Sequence, residues 1–395
     1  MQATPIANRL HIGLFGKRNA GKSSLLNLLT NQAAAVVAPH PGTTTDPVFK
    51  PMELLPLGPV VFVDTAGMDD YGELGELRVA KTLSVFRKTD IAVLVVDSTQ
   101  GMSEDDLHIL KLLMERESPF VIACNKSDLP YAVPVNIEGA RVVKLSAKTG
   151  EGLAELKLAL VELGQALSQD KSLVGGLVSP GDFVILVTPI DTSAPKGRLI
   201  LPQQQTIRDL LEHDAIPVVT KEQELRATLE GLTRKPSLVI TDSQAFLKVA
   251  ADTPKDIPLT SFSILFARQK GDLVYLSEGA KAVEALKQGD KVLIVEGCTH
   301  HRQADDLGKV KIPRWLRNAA GGDLEFTWVS GVDFPIEPKG YQLIVHCGGC
   351  MLNRKEMLWR INSAKTAGIP MINYGVLIAY IQGILGRSLA PFGLN

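Results

Sequence analysis

The sequence lacks an excess of charge of either sign: its 395 residues carry 42 Lys and Arg against 43 Asp and Glu, a net charge of −1. That balance gives no electrostatic bias toward nucleic acid or anionic membranes. Long apolar runs are also missing, since the longest, residues 375–385, is interrupted by Gln382 and Gly383. A membrane span needs about 20 apolar residues, and residues 1–10 lack the apolar core of a secretory signal. We therefore expect a soluble cytoplasmic protein without membrane or nucleic-acid partners.

Cysteine is scarce, with four residues in the whole chain. Structural disulfides are rare in cytoplasmic proteins, so these residues are not expected to pair as a scaffold. Cys124 ends the apolar run 120–124 and is predicted to be a buried strand residue. Cys298, Cys347 and Cys350 require a different explanation.

Short apolar stretches alternate with helical patterns, which predicts an α/β fold with mostly parallel, doubly wound sheets. The length indicates two to four domains. We predict three: an N-terminal doubly wound domain over residues 1–170 and two smaller α/β domains over residues 178–262 and 267–395. Residues 169–180, which include a Gly-Gly pair, are predicted to be the first linker, and residues 374–385 a closing helix.

Residues 16–23 read G-K-R-N-A-G-K-S and match the P-loop pattern G-x4-G-K-S/T. The segment follows a predicted strand and opens a predicted helix, as a phosphate-binding loop requires. Glycines let backbone N–H groups point at phosphate, and the helix N-terminus adds partial positive charge. We expect Lys22 to reach the β- and γ-phosphates and the Ser23 hydroxyl to ligate Mg²⁺. Further predicted contacts are Gly16, Asn19, Ala20, Gly21 and Ser24.

Three later motifs, each after a predicted strand, complete a nucleotide site for guanine. Asp64 is expected to hold Mg²⁺, and the Gly67 N–H to sense the γ-phosphate. The Asp128 carboxylate of an N-K-x-D motif can accept two hydrogen bonds from guanine, a donor pair that adenine lacks. The expected base contacts are Asn125, Lys126, Asp128, Ser146, Ala147 and Lys148. Residues 1–170 are thus predicted to be a P-loop GTP-binding domain.

With these motifs in order, residues 10–165 resemble the GTPases of the Era and MnmE group. The resemblance implies that residues 42–46 form switch I, with Thr44 as a second Mg²⁺ ligand. It also implies that Lys22, Thr44 and Gly67 are the catalytic residues.

Two positions near the phosphates bear on the rate of hydrolysis. Many GTPases have Gln directly after the D-x-x-G glycine, where this chain has Met68. A thioether cannot polarise water, so we expect slow intrinsic hydrolysis. Potassium-activated relatives bind the ion through an Asn in the P-loop, and the resemblance implies this role for Asn19, with K⁺ replacing the charge of an arginine finger.

Candidate metal ligands also follow two predicted strands near the C-terminus. Cys298 and His300 follow one strand, and His346, Cys347 and Cys350 follow another. Because the carboxyl ends of parallel strands meet at one edge of a sheet, these side chains are expected to converge. The spacing leaves three alternatives: structural zinc with one histidine, a redox dithiol of Cys347 and Cys350, or an iron–sulfur cluster on three cysteines.

The nucleotide motifs, a middle α/β unit and the C-x-H and H-C-x-x-C motifs together resemble one family over essentially the whole chain: HydF, the maturation GTPases of iron-only (FeFe) hydrogenases. The resemblance implies that the middle domain mediates homodimerisation. It implies that the last domain binds a 4Fe–4S cluster through Cys298, Cys347 and Cys350. His300 and His346 stay open as fourth ligands or as neighbours of the ligands.

By the same resemblance we expect a GTP-hydrolysing scaffold that accepts a di-iron precursor from radical SAM maturases and delivers it to the FeFe hydrogenase apoprotein. The expected cofactors are GTP, Mg²⁺, K⁺ and the 4Fe–4S cluster. Two alternatives are an RNA- or ribosome-directed GTPase of the Era/MnmE kind with a C-terminal zinc site, and a metal-insertion GTPase that handles nickel or cobalamin. Residues 171–395 show no basic stripe with interleaved aromatics, which disfavours the RNA-directed alternative.

Overall fold

The computed structural model describes residues 4–30, 48–65, 84–130, 135, 137–167, 172–190, 199–297, 306–331, 334–335 and 337–394. The chain divides into two compact units, Met1–Asp170 and Lys171–Asn395. Within the described ranges, no helix has both the length and the apolar composition needed to cross a lipid bilayer.

The first unit alternates strands and helices around one six-stranded sheet. Its strands are β1 (Leu10–Phe15), β2 (Val48–Leu54), β3 (Gly58–Asp64), β4 (Ile91–Asp97), β5 (Phe120–Asn125) and β6 (Arg141–Lys144). Its helices include α1 (Lys22–Thr30), α2 (Glu104–Glu115) and α3 (Leu153–Leu167). The strand order is β2-β3-β1-β4-β5-β6, and β2 runs antiparallel to β3 while the other neighbours run parallel.

The central strands of this sheet are largely apolar because both faces are covered, with polar residues at His11 and at the carboxyl ends of β4 and β5. Alternate residues enter separate cores, with Leu14 in one and Phe15 in the other. Helix α2 starts at a capping box: the Ser103 hydroxyl accepts the Asp106 N–H, and the Asp106 carboxylate accepts the Ser103 N–H. The predicted N-terminal doubly wound domain is confirmed.

The second unit contains two parallel sheets of four strands each. Its strands are β7 (Phe183–Val187), β8 (Ile216–Thr220), β9 (Leu238–Thr241), β10 (Leu259–Ser261), β11 (Lys291–Glu296), β12 (Glu325–Ser330), β13 (Leu343–His346) and β14 (Met371–Asn373). Its helices include α4 (Leu201–Glu212), α5 (Leu225–Gly231), α6 (Phe246–Asp252), α7 (Phe262–Lys270), α8 (Leu273–Ala285), α9 (Ile312–Ala320), α10 (Arg354–Thr366), α11 (Tyr374–Ile381) and α12 (Leu385–Leu389). The strand orders are β10-β9-β7-β8 and β12-β11-β13-β14.

The two sheets of the second unit share one hydrophobic core. Val187 and Val239 from the first sheet belong to the same cluster of buried apolar side chains as Val292 and Val345 from the second. The predicted α/β class of this half is confirmed. The shared core also means that an element of one sheet layer can reach the strand ends of the other.

Two sequence-based expectations about the second unit were correct only in part, since the boundary between the units falls inside the predicted linker and a helix does begin at Tyr374. Part of the predicted linker is folded onto this unit: Val174 is fully buried, and its N–H donates to the Asp209 carboxylate at 2.8 Å. The predicted closing helix is two helices, α11 and α12, because Gly383 adopts a left-handed φ of +69° between them. Here a glycine pair did not distinguish a linker from a packed segment, and an apolar run did not distinguish one helix from two.

Several elements were not predicted from the sequence. Strand β2 contains Pro51, which is tolerated because β2 lies at the edge of its sheet. Strands β10 and β14 have three residues each, too few for an alternating pattern. Strand β12 and helices α7 and α9 were also missed.

His11 should make the stability of the first unit depend on pH. Its side chain is 4% exposed in β1, and Nδ1 donates to the Arg9 carbonyl at 2.8 Å. Burial lowers the pKa of His11 from 6.5 to about 4, although the Arg9 carbonyl opposes the shift and Lys88 adds to it. Between these two pH values the unfolded chain binds more protons than the folded chain. The free energy of unfolding should therefore rise with pH across this window and level off above it.

The variant H11Q should flatten this rise, whose slope is at most about 1.4 kcal/mol per pH unit. The slope is measured on the full chain from pH 4.5 to 7.5. At each pH the free energy of unfolding of the first unit is obtained from hydrogen exchange of the β1 amides at increasing urea concentration. The variant H108Q, which removes an exposed imidazole from α2, is the control and should keep the wild-type slope. An equal slope in H11Q and wild type would contradict the assignment.

Candidate functional site: a P-loop nucleotide site and a cysteine site

The P-loop between β1 and α1 requires glycine at two positions. Gly16 has a φ of +135°, and a Cβ there would lie 2.2 Å from the Val95 carbonyl oxygen. Gly21 has a φ of +94°, and a Cβ would lie 2.1 Å from Nδ2 of Asn125. Asn19 also adopts a left-handed conformation, with a φ of +62°, which Asn tolerates better than most residues. The loop thus packs against β4 and β5 through backbone that a side chain would displace.

Lys22 lies over the P-loop backbone. Its Nζ donates to the carbonyls of Gly16 at 2.8 Å and Lys17 at 2.9 Å, and its side chain is 7% exposed. The Lys17 N–H in turn donates to the Asp106 carboxylate at 3.3 Å, which joins the loop to α2. The ammonium therefore lies at the phosphate-binding loop, as predicted.

Ser23 and Asp64 form a pair that fits a divalent cation. The Ser23 hydroxyl donates to Oδ2 of Asp64 at 2.6 Å, while Oδ1 is buried and has no hydrogen-bond partner among the described residues. Burial raises the pKa of Asp64, against the opposing effects of the Ser23 hydroxyl, Lys22 and Lys50. A Mg²⁺ ion between these oxygens would satisfy the orphan atom and favour the ionised carboxylate.

Asn125 joins the P-loop to the predicted base-binding loop. Its Nδ2 donates to the Ala20 carbonyl at 2.8 Å, and its Oδ1 accepts the Ala147 N–H at 2.8 Å. Nearby, the Ser146 hydroxyl donates to Oδ1 of Asp128 at 2.6 Å. That hydrogen bond lowers the pKa of Asp128, which favours the ionised carboxylate that the predicted guanine contact requires.

Asp97 was missed in the sequence. It ends β4, and its Oδ2 accepts a hydrogen bond from Nζ of Lys126 at 2.5 Å. Partial burial acts to raise the pKa of Asp97, but hydrogen bonds from Lys126 and Thr99 hold it below its usual value. Lys126 itself has a φ of +69°, so Asp97 fixes a lysine whose backbone is already constrained. The sequence did carry a signal for Asp97, because it is the polar residue that ends an apolar run predicted to be a parallel strand.

The second site lies where β11 and β13 end side by side. The strands are parallel neighbours, with Val295 opposite His346. Sγ of Cys347 accepts hydrogen bonds from the N–H groups of Gly297 at 3.1 Å and Gly349 at 3.4 Å. Gly297 directly precedes Cys298 in the chain, so the last described residue before the first cysteine motif contacts the second motif, while Cys298 itself lies outside the described residues.

The cysteine sulfur is in an environment that suits a metal-bound thiolate. Burial raises the pKa of the Cys347 thiol, and the N–H groups of Gly297 and Gly349 oppose that shift. A buried thiol of this kind becomes a thiolate when a metal displaces its proton, and N–H donors to sulfur are a recurrent feature of iron–sulfur sites. No group of three or more His, Cys, Asp or Glu side chains that could hold a metal occurs among the described residues, which include Cys347 and Cys350 but not Cys298.

His346 has both ring nitrogens engaged. Nδ1 donates to the Cys347 carbonyl at 2.7 Å, and Nε2 accepts from Nη1 of Arg360 at 3.1 Å. Complete burial and the adjacent Arg360 lower its pKa to about 3, so the ring is neutral. Arg360 is itself fully buried and is paired with Glu356 at 3.0 Å. In this geometry protein groups occupy both ring nitrogens, which fits the second predicted role of His346, as a neighbour of the ligands; its role at a cluster stays a prediction.

Several predicted residues lie outside the described part of the chain. These are the switch segment 42–46 with Thr44, then Gly67 and Met68 after Asp64, and Cys298 and His300. The remaining predicted nucleotide residues are described, and Ser24 and Lys148 are exposed at the edges of the same loops.

Three family models match the chain in succession. Residues 11–126 match a 50S ribosome-binding GTPase model, residues 173–271 a hydrogen maturase F dimerization domain, and residues 274–391 a hydrogen maturase F tetramerization domain. The two maturase models together cover more than half of the 395 residues.

Similarity to individual curated proteins extends over part of the chain. The tRNA modification GTPase MnmE of Acetivibrio thermocellus is 34% identical over 156 residues, 38% of this chain and 33% of MnmE. GTPase Der of a Sulfurihydrogenibium species is 38% identical over 164 residues, 37% of this chain and 36% of Der. The chain therefore spans about a third of the length of these curated relatives. Among solved structures, Aquifex aeolicus Era is 17% identical, with a TM-score of 0.35, over 62% of this chain and 99% of Era.

The variant N125A should weaken guanine-nucleotide binding roughly 30-fold, because it removes two hydrogen bonds of about 1 kcal/mol each that join the P-loop to the base-binding loop. Titration with a fluorescent GDP analogue measures the change. N318A, which truncates an exposed Asn on α9, is the matched control. Wild-type affinity in N125A would show that this connection is not needed for binding.

Proposed function

The chain belongs to the hydrogen maturase F family, and from this membership we propose that it is a GTP-hydrolysing scaffold that binds a 4Fe–4S cluster and delivers a di-iron precursor to the FeFe hydrogenase apoprotein. The cluster ligands in this proposal are Cys298, Cys347 and Cys350. Radical SAM maturases supply the precursor, and the protein acts as a homo-oligomer in the cytoplasm.

The observation that carries the cluster proposal is the 3.1 Å hydrogen bond from the Gly297 N–H to Sγ of Cys347. It supports a site in which Cys298, the next residue in the chain, and Cys347 bind the same metal centre. When bound through three cysteines, a 4Fe–4S cluster supplies one iron whose remaining position is open to cargo. The protein holds the sulfurs: β11 and β13 fix the backbone, and the glycine N–H groups stabilise the thiolate of Cys347. His300 remains our candidate for a fourth ligand.

The P-loop GTPase domain binds and hydrolyses GTP with Mg²⁺. For this chain we assign Lys22 to the β- and γ-phosphates, Ser23 and Asp64 to Mg²⁺, and Asp128 to guanine. Thr44 would complete the Mg²⁺ site, and the Gly67 N–H would sense the γ-phosphate. Because these residues lie in the first unit and the cysteines in the second, we assign GTP a regulatory role rather than a part in the cluster chemistry.

We infer that hydrolysis controls exchange of the hydrogenase partner. A nucleotide can shift such an equilibrium only if its GTP and GDP forms bind the partner with different affinities. Equal affinity of the hydrogenase apoprotein for the GTP, GDP and nucleotide-free forms would exclude this role. The dimerization and tetramerization models support an assembly of several copies.

Potassium should stimulate GTP hydrolysis relative to sodium at equal ionic strength, because an ion held by Asn19 would offset charge on the phosphates. Asn19 also serves the turn, with a φ of +62°. The variant N19G keeps that conformation accessible but removes the side-chain oxygen, so it should bind GDP normally and lose the K⁺ effect. Phosphate release in KCl and NaCl measures it. A retained K⁺ effect in N19G would leave Asn19 as a turn residue alone.

Anaerobically reconstituted protein should contain about four irons per chain. The variants C298S, C347S and C350S should each lose this iron, because each removes a ligand. Iron, sulfide and zinc analysis with an absorption spectrum provides the measurement. C124A is the matched control, since Cys124 is buried in β5 of the first unit, and it should load normally.

Stoichiometric zinc without any capacity for iron would overturn the cluster proposal. Together with RNA binding at moderate salt, that result would favour the RNA- or ribosome-directed GTPase, the second candidate, which draws support from the ribosome-binding GTPase model over residues 11–126. Bound nickel or cobalamin would instead point to metal insertion.

A further inference from the structure

Lys270 is a buried cation that the nucleotide and cysteine motifs leave unexplained. It ends α7 and is 6% exposed. Its ammonium donates to three backbone carbonyls: Gly349 at 3.3 Å, Cys350 at 3.0 Å and Leu352 at 2.7 Å. An ammonium has three N–H donors, so the loop that carries Cys347 and Cys350 uses all of them.

The hydrogen-bond partners of Lys270 all come from this loop and the residues that follow it. Among the described residues, the titratable groups that act on it are the thiols of Cys350 and Cys347 rather than a carboxylate. Burying an ammonium without an anionic partner costs free energy that a neutral side chain would avoid. The cost is offset when the neighbouring sulfurs carry negative charge.

Lys270 also connects two parts of the second unit. It lies in the segment matched by the dimerization model, whereas the loop lies in the segment matched by the tetramerization model. A second bond reinforces the contact, since Nε of Arg354, the first residue of α10, donates to the Gln269 carbonyl at 3.1 Å. The end of α7 is thus hydrogen-bonded to residues 349–354, the second half of the cysteine loop and the start of α10.

We propose that Lys270 is a positioning residue of the cluster site, which anchors the Cys347–Cys350 loop to α7 and places a positive charge behind the two thiolates. This inference rests on the proposed cluster function. The carbonyls of the loop point at the ammonium on one side, and the Gly349 N–H points at Sγ of Cys347 on the other. Neutralising the charge should therefore weaken retention of the anionic cluster and make it harder to reduce.

The test compares full-length K270Q, K270M and K270R with wild type. K270Q keeps hydrogen-bond donors without charge, K270M loses both, and K270R keeps the charge. After reconstitution, K270Q and K270M should release iron to a chelator about 10- to 100-fold faster, and their reduction midpoint by EPR titration should become more negative. K270R should stay near wild type in midpoint. In the apoprotein, K270M should exchange the amides of residues 347–353 faster.

Arg268 offers a matched control on the same helix. It donates to the backbone carbonyls of Leu173 and Gly175, away from the cysteine loop, so R268Q should keep wild-type midpoint and iron release. Wild-type midpoint and iron retention in both K270Q and K270M would overturn the proposal, and wild-type amide exchange of β7 and β9 in the second unit reports that each variant is folded. If wild type itself holds no iron, the proposed function fails. Separately, unchanged amide exchange of residues 347–353 in the K270M apoprotein would refute the role of Lys270 in anchoring the loop.

Discussion

Parallel strand pairing is the constraint on which both sites depend. In a parallel sheet the carboxyl ends of neighbouring strands lie at one edge, so residues far apart in sequence meet there. In the first unit β1 leads into the P-loop, and β3, β4 and β5 end at Asp64, Asp97 and Asn125. In the second unit the register that sets Val295 opposite His346 brings Gly297 to Cys347. A shift of one residue would turn these side chains to the other face.

In each site a lysine ammonium is hydrogen-bonded to backbone carbonyls of the loop. Nζ of Lys22 is bound by the Gly16 and Lys17 carbonyls, and Nζ of Lys270 by carbonyls of the cysteine loop. Carbonyls turned toward a cation leave loop N–H groups free to face an anion, which is phosphate in the first site and sulfur in the second. Arg360 extends the pattern, since its fully buried guanidinium supports the ring of His346 and the Gly331 carbonyl. Burial of a charge is costly unless it is paired; Arg360 is paired with Glu356, whereas the hydrogen bonds of the two lysines described above go to backbone carbonyls.

Sequence patterns predicted long, regular and motif-bearing elements well and short or irregular ones poorly. The strand before Cys298 was predicted correctly, and it is observed as β11, because residues 292–295 are all apolar. Strand β2 was missed because Pro51 argues against a strand unless its edge position is known. The predicted linker failed at Val174, whose burial depends on Asp209 and α4, elements remote in sequence. Asp97, Lys270 and Arg360 belong to no motif, and their partners are far away along the chain.

By itself the sequence determined the chemistry available to this protein: a guanine-type P-loop and three cysteines placed after strands. Those conclusions are local, because a motif carries its own spacing and glycine requirements within a few residues. Only the tertiary structure decided that β11 and β13 are neighbours, that both ring nitrogens of His346 are engaged, and that Lys270 from a different sheet layer binds the cysteine loop. These outcomes depend on strand order and burial, which are properties of the packed chain and leave no periodic signal in the residues that take part.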